Sequence, residues 1–451
     1  MMARITGLCR RNWRRAAVLL IALVVLIVAA RTISGWWIGR QVGDEVDRLE
    51  KSYGSLNMHD MNSWVPDSKN RARVMRAAAE LTVVERTEKT SWVFGGGYQA
   101  VMLCLSGGDC PAGAIDSMRQ FVEQNRLAVS VATQGRTLPR ASWGLNYFRA
   151  ETTNLPRNVF QLDLLLAAAC RVELEDGHVD RAVEVALTGL AEASSMRLEW
   201  SRSMQVWRML AVEQQVGCVQ EMLQRSDPPA QALTDIATAV ADSRWPDPMR
   251  MSLLGELKIA NAWFMELERG RAVAYPGGAS WDSAAGPMNW LLRPIASYRR
   301  LGDLRALDRI IQLQAIAPCQ RNAAHTPLPG SSPEEQRKAR ESQASRSALS
   351  TTFVSPELSN EIDTGWEFHS VLNAAETSVA LRRYRVDHGS YPDALPQLVP
   401  QYLPWVPIDP FTGRPPEYAK HADGFELHVH RAKAHERWVT EKLLFDWTIP
   451  R

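Results

Sequence analysis

The sequence predicts a mainly α protein: a single N-terminal transmembrane helix, an irregular array of helical hairpins, and a small α+β module at the C-terminus. Three observations carry that expectation. An apolar run, Ala16–Ala30, follows a cluster of arginines. Apolar residues recur at helical spacing from about Arg157 to Gly270. From about Asp363 another helical stripe gives way to turn chemistry and then to period-two alternation.

The run AAVLLIALVVLIVAA makes a helix of about 22 Å at 1.5 Å per residue. A hydrocarbon core is about 30 Å thick, so the flanks must extend the span. Trp13 lies before the run and Trp36 and Trp37 after it, about 35 Å apart along a helix, as interfacial aromatic belts require. Arg14, Arg15 and Arg31 then snorkel outward. Arg4, Arg10, Arg11, Arg14 and Arg15 precede the run with no acid among them. The positive-inside rule keeps that end cytoplasmic and exports the rest. The expectation is an uncleaved anchor holding the bilayer through residues 16–38. The rival is a signal peptide cut after Val28-Ala29-Ala30, and renewed apolar character at Ile33 and Trp36–Ile38 argues against it.

The chain has 451 residues, enough for two or three domains. Its 52 Lys and Arg face 50 Asp and Glu. Setting aside the five arginines before the membrane leaves 47 bases against 50 acids, so the exported part has no basic field for nucleic acid. Of six cysteines, Cys9 stays cytoplasmic and five enter an oxidising space. No CxxC occurs. Cys104 and Cys110 flank Leu-Ser-Gly-Gly-Asp, a loop flexible enough for a local disulfide, although Cys104 in VMLCL also reads as a buried small hydrophobe. Cys170 and Cys218 sit within helical patterns and read as core.

Residues 41–56 read as a polar helix leaving the membrane, and 69–90 as a second helix rich in strong helix formers. Gly95-Gly96-Gly97 breaks the pattern. It lacks the surroundings of a phosphate loop and reads as a tight connection. Pro111 opens a helix through about Val131. Leu164, Leu165, Ala168, Ala169 and Val172 form a stripe ending at Asp176-Gly177, a helix stop. Val179, Ala182, Val183, Ala186, Leu190 and Ala193 form the next stripe. Together they resemble one tetratricopeptide-type hairpin, without the three or so units a regular solenoid needs. Met209, Val212, Val216, Val219 and Leu223 continue at packing spacing. Asp227-Pro228-Pro229 is expected to cap the helix after it. Glu256, Glu266 and Glu268 fall on a further helix and read as a solvated face. Tyr275–Met288 reads as a surface loop or lid, and residues 318–362 lose periodicity and read as a linker. The organisation expected is therefore 1–40 tail and anchor, 41–317 helical domain, 318–362 linker and 363–451 module.

In the module, Phe368, Leu372, Ala375 and Val379 stripe a helix that Gly389 ends. Asp409-Pro410-Phe411-Thr412-Gly413 is turn chemistry, with Asp409 an acceptor for backbone amides rather than a catalytic acid. Asp423-Gly424 turns a hairpin whose second strand points Phe425, Leu427 and Val429 inward and Glu426, His428 and His430 outward. These residues resemble the globular part of G-type pseudopilins of type II secretion, where a helix ending in YxxxxGxYP precedes a short proline-rich segment and a small antiparallel sheet. The matching positions include Tyr384, Gly389, Tyr391, Pro392, Asp409, Pro410 and Gly413. The resemblance covers about 60 residues. It implies a fold for the module but no calcium ligands, because RAKAHERWVTEKLLFDWTIPR carries no recognisable calcium loop. It implies no prepilin processing either, because Gly7 is followed by Leu8 and Asn12.

No HExxH, GxSxG, SxxK or Walker loop is present. His428 and His430 share a strand face and are the weak candidates for a divalent metal, yet no acid or cysteine completes a set. No catalytic residue and no cofactor is expected. The sequence therefore reads as a bitopic inner-membrane protein, N-terminus cytoplasmic and bulk periplasmic, that assembles with envelope or secretion proteins and binds no nucleic acid. The alternative is an envelope hydrolase whose carboxylates converge only in the fold.

Overall fold

The computed structural model describes residues 2–61, 65–83, 113–145, 155–269, 289–317, 320, 356–422, 424–429 and 445–449. The protein is mainly helical. Its first helix, α1 (Met2–Tyr53), runs unbroken through the apolar segment. At 52 residues it is about 78 Å long. The stretch Val18–Val28 is exposed throughout, as are Trp36 and Trp37, so no protein covers the segment long and apolar enough to cross a membrane. The separate polar helix expected at 41–56 is instead the last part of α1.

That last part docks on α10 (Asn289–Gln314). Val42, Glu45 and Leu49 are buried at the joint. Arg48 spans the Glu45 and Asp308 carboxylates at 2.6 and 2.7 Å, and the Tyr53 hydroxyl donates to Asp308 Oδ1 at 2.7 Å. Burial and that carboxylate push the Tyr53 hydroxyl up to about 12. Helix α1 thus runs into the folded domain as one continuous helix fastened at its C-terminal end. Asp308→Ala removes the acceptor of the part-buried Tyr53 hydroxyl and one of the two carboxylates on Arg48, and a loss of about 1–3 kcal/mol is expected. A melt in detergent should fall by several degrees, whereas an unchanged midpoint would show that this network does not hold the joint.

Helix α2 (Arg71–Leu81) starts where the Asn70 side chain accepts from Ala72 N. It is shorter than the expected 69–90; residues 84–90 lie outside the described part. The single helix expected after Pro111 is two, α3 (Ala114–Gln124) and α4 (Arg126–Gly135). Asn125 divides them, because its side chain accepts from Val83 N at 2.6 Å and donates to Val83 O at 3.0 Å. A residue so engaged sits between helices rather than inside one.

The next four helices are α5 (Leu155–Glu175), α6 (Val179–Ser195), α7 (Arg202–Arg225) and α8 (Ala230–Ser243). Gly177, at φ +76°, turns the α5–α6 corner. Helix α7 packs on both α5 and α6, and α8 packs on α6. The stripes read from the sequence are the buried ones: Met209, Val212, Val216, Val219 and Leu223 are all closed from solvent. Asp227 does not cap α8, which has no side-chain cap; its carboxylate takes Arg382 at 2.6 Å instead. Helix α9 (Pro248–Glu268) packs on α7 and α10. Its Glu268 binds Arg300 at 2.8 Å and Ser297 at 2.9 Å rather than standing free in solvent.

The last helix, α11 (Pro356–His388), begins before residue 363 and lies across α7 and α8. Phe368, Val371, Leu372, Ala375 and Val379 are buried there, in the hydrophobic cluster that also holds Leu49 of α1 and Val429. Arg244 binds Asn373 and Glu376, and His369 meets Asp247 at 2.6 Å, so polar bonds pin α11 to the α8–α9 connection. Strands β1 (Glu417–Lys420), β2 (Phe425–Val429) and β3 (Phe445–Ile449) form an antiparallel sheet in that order. Tyr418 pairs with Leu427, and Leu427 with Trp447. In β2, Phe425, Leu427 and Val429 are buried while Glu426 and His428 are half-exposed, as period two demands. The sequence reading did not place β3.

Candidate functional site: a groove between α6 and α8

A concavity of about 270 Å³ opens beside α6. Leu187 and Leu190 of α6 form its floor. Helix α6 touches α2 and α4 on one flank and α8 on the other, and the two flanks carry opposite charge. Arg71 opens α2, Arg136 follows α4, and Asp235 and Asp242 project from α8.

The two arginines differ in what remains free. The Arg71 guanidinium is spent on the protein, donating to the carbonyls of Leu138, Ala191 and Arg136 and to Ser194 Oγ. Burial lowers its pKa, with Arg197 nearby acting in the same sense and Asp242 opposing; it remains a cation at any ordinary pH. Arg136 is half-buried, and its Nε–H is closed from water with no acceptor among the described residues. What the half-buried Arg136 guanidinium offers an incoming group is its positive charge, because the Nε–H itself has no exposed surface. Asp235 and Asp242 are exposed on the opposite flank, Asp235 accepting from Gln231 at 2.8 Å. Chemically the groove suits an extended segment with an acidic or carbonyl group toward Arg136, apolar contact in the middle and a basic group toward α8.

A second polar cluster lies inside the core. Asp163 of α5, Glu192 of α6 and Gln215 of α7 are buried. Gln215 Nε2 donates to Asp163 Oδ1 at 2.8 Å and to Asp163 O at 3.3 Å. Asp163 Oδ2, both Glu192 oxygens and Gln215 Oε1 have no partner among the described residues. Burial pushes the Asp163 carboxyl up to about 8, partly offset by the Gln215 bond. Burial, and then the Asp163 charge, raise Glu192 well above the usual carboxylate range. Acceptors crowded together without donors favour the protonated form.

The residues singled out in the sequence do not meet at either place. Cys104, Cys110 and His430 lie outside the described residues, as do the triple glycine and the 275–288 loop. His428 stands on the solvent side of β2, 3.8 Å from Glu426. No group of three or more metal-ligating side chains occurs among the described residues. Tyr384 stacks on His388 with centroids 4.0 Å apart. Gly389 takes φ +75°, Tyr391 packs edge-on to Phe425, and Pro392 O accepts from the Tyr418 hydroxyl at 2.7 Å. Asp409 Oδ1 accepts from Phe411 N at 2.8 Å, its carbonyl accepts from Gly413 N, and Pro410 is buried between them. None of these seven positions lines the groove. The groove residues escaped notice because Arg136 and Asp242 stand far apart in the chain, each in ordinary helical surroundings. Asp163 did carry a signal: a carboxylate inside the apolar run FQLDLLLAAAC.

Fold and groove together define a mainly helical protein with one candidate N-terminal membrane helix and a charge-divided surface groove. No protein-family model, curated protein or solved structure matches the chain.

Proposed function

We propose that this is a bitopic membrane protein of the bacterial envelope whose exported helical domain binds a protein partner through the α6–α8 groove. In this reading α1 spans the inner membrane with its arginines in the cytoplasm, and the pseudopilin-like C-terminal segment associates the domain with envelope or secretion machinery. The observation that carries the reading is the long exposed apolar face of α1, continuous with a packed domain whose groove has Arg71 and Arg136 on one flank and Asp235 and Asp242 on the other. A rigid joint suits a module that presents a surface at a set height above the lipid. The alternative, an envelope hydrolase, calls for acids of raised pKa at an open pocket. Here Asp163 and Glu192 are enclosed in the core, and the groove acids are exposed on α8.

A photo-crosslinking residue at Thr238, exposed in the groove wall, is expected to give one discrete protein adduct in living cells. Arg136→Glu should reduce that adduct at least tenfold by placing a carboxylate where an acceptor docks. An adduct of equal yield in the variant, or none in the native chain, would overturn the assignment.

A further inference from the structure

Two cysteines read from the sequence as separate core residues face one another in the fold. Cys170 lies on α5 and Cys218 on α7, both buried and both recorded as thiols. Their helices pack directly. Ala167, three residues before Cys170, is a small and fully buried residue on the same helix. The Cys218 Sγ lies 3.7 Å from Ala167 O, one helical turn from Cys170 along α5, and the neighbouring Cys170 thiol helps to push the Cys218 thiol above its usual range. Helices whose axes lie 8–10 Å apart bring facing Cα atoms to about 4–6 Å, the separation a disulfide needs. We propose that Cys170 and Cys218 form an intramolecular disulfide that bolts α5 to α7 in the exported protein.

The inference rests on the exported placement proposed above, because the reaction needs an oxidising compartment. The oxidant is a disulfide, in a thiol–disulfide oxidoreductase or a small molecule. One cysteine thiolate attacks a sulfur of that disulfide and displaces its partner thiolate, leaving a mixed disulfide. The second cysteine attacks the mixed disulfide, forms the S–S bond and releases the second thiolate. Two protein thiols thus surrender two electrons and two protons, and one external disulfide becomes two thiols. Both cysteines are closed from solvent once folded, so the exchange belongs to folding, before α5 and α7 close. Burial afterwards shields the bond from reductants.

The test uses the full chain with alkaline phosphatase fused after Arg451, quenched in acid, denatured and alkylated with or without prior reduction. The expected result is an active fusion and a linked peptide pair containing Cys170 and Cys218 that separates only on reduction. Cys170→Ser should leave Cys218 open to alkylation without reduction, and Cys218→Ser should do the same for Cys170. Refolding under reductant should lower the melting midpoint by about 5 °C. An active fusion with both cysteines alkylated before reduction would overturn the disulfide and leave the exported placement standing. An inactive fusion would overturn the placement, and the disulfide with it.

Discussion

Gly255→Ala is expected to destabilise the domain by about 2–4 kcal/mol, although alanine is the better helix former by about 1 kcal/mol. Gly255 lies in the buried face of α9. A Cβ there would stand 1.8 Å from the Trp200 carbonyl oxygen and 2.8 Å from its carbon. The obstacle is backbone and has little freedom to retreat. Glu199 beside it accepts from Trp143 N at 2.7 Å, and Gln205 Nε2 donates to Met196 O at 2.9 Å and to Glu199 O, fastening the turn between α6 and α7. The Lys258 ammonium sits 4.7 Å above the Trp200 ring. Relief requires α9 to move off α7, which opens contacts along the length of both helices. Gly217 of α7 supplies the comparison, since nothing lies within 4 Å of a Cβ built there. Gly217→Ala should therefore stabilise by up to about 1 kcal/mol. Thermal melts followed by helical circular dichroism check the pair. Shifts of the same sign would show that helix propensity, rather than the close approach at Trp200, governs position 255.

That contrast also marks how far residue patterns reach. Helix existence was legible wherever one face alone had to leave water: the stripe Val179, Ala182, Val183, Ala186, Leu190 and Ala193 has its apolar positions turned inward, and the apolar run before Trp36 forms part of one helix. Helix limits were less legible, because distant polar groups set them. Asn125 parts α3 from α4 by gripping Val83, and Asp227 forgoes its cap to hold Arg382 of α11. Neither partner lies within the window that local spacing surveys. The third strand is a five-residue segment, and its place beside β2 is set by pairing with residues some twenty positions earlier. The groove is a product of tertiary assembly alone. Its donor follows α4 and its acids lie on α8, with α6 between them.

The interior carboxylates lead to the second large effect, a stability that declines as pH rises through neutrality. Asp163 and Glu192 hold protons in the folded protein, with Asp163 pushed up to about 8 by burial and Glu192 displaced the same way by burial and by Asp163. In the unfolded chain both titrate near 4. Below about pH 4 both states carry the protons, and the folded state keeps the whole of this contribution. Between about pH 4 and 8 the unfolded chain has released protons that the folded chain retains, so the proton-binding difference lowers the unfolding free energy with each step in pH. The limit is about 1.4 kcal/mol per pH unit for each proton retained, and shared occupancy of a close pair makes a total of a few kcal/mol the reasonable scale. Above about pH 8 the loss from Asp163 is complete. Asp163→Asn keeps an oxygen for the Gln215 Nε2 donor and replaces the acid proton with amide hydrogens. It should match the native protein near pH 5 and exceed it by about 2 kcal/mol or more near pH 8.5. Glu192→Gln should flatten the same slope, and the double variant should remove it. Urea titrations at half-unit steps from pH 5 to 8.5 measure all four curves. A native stability that holds level or climbs over that range, with the double variant tracking it, would mean that the pair is ionised in the fold and that its three unpartnered oxygens are met by something other than their own protons.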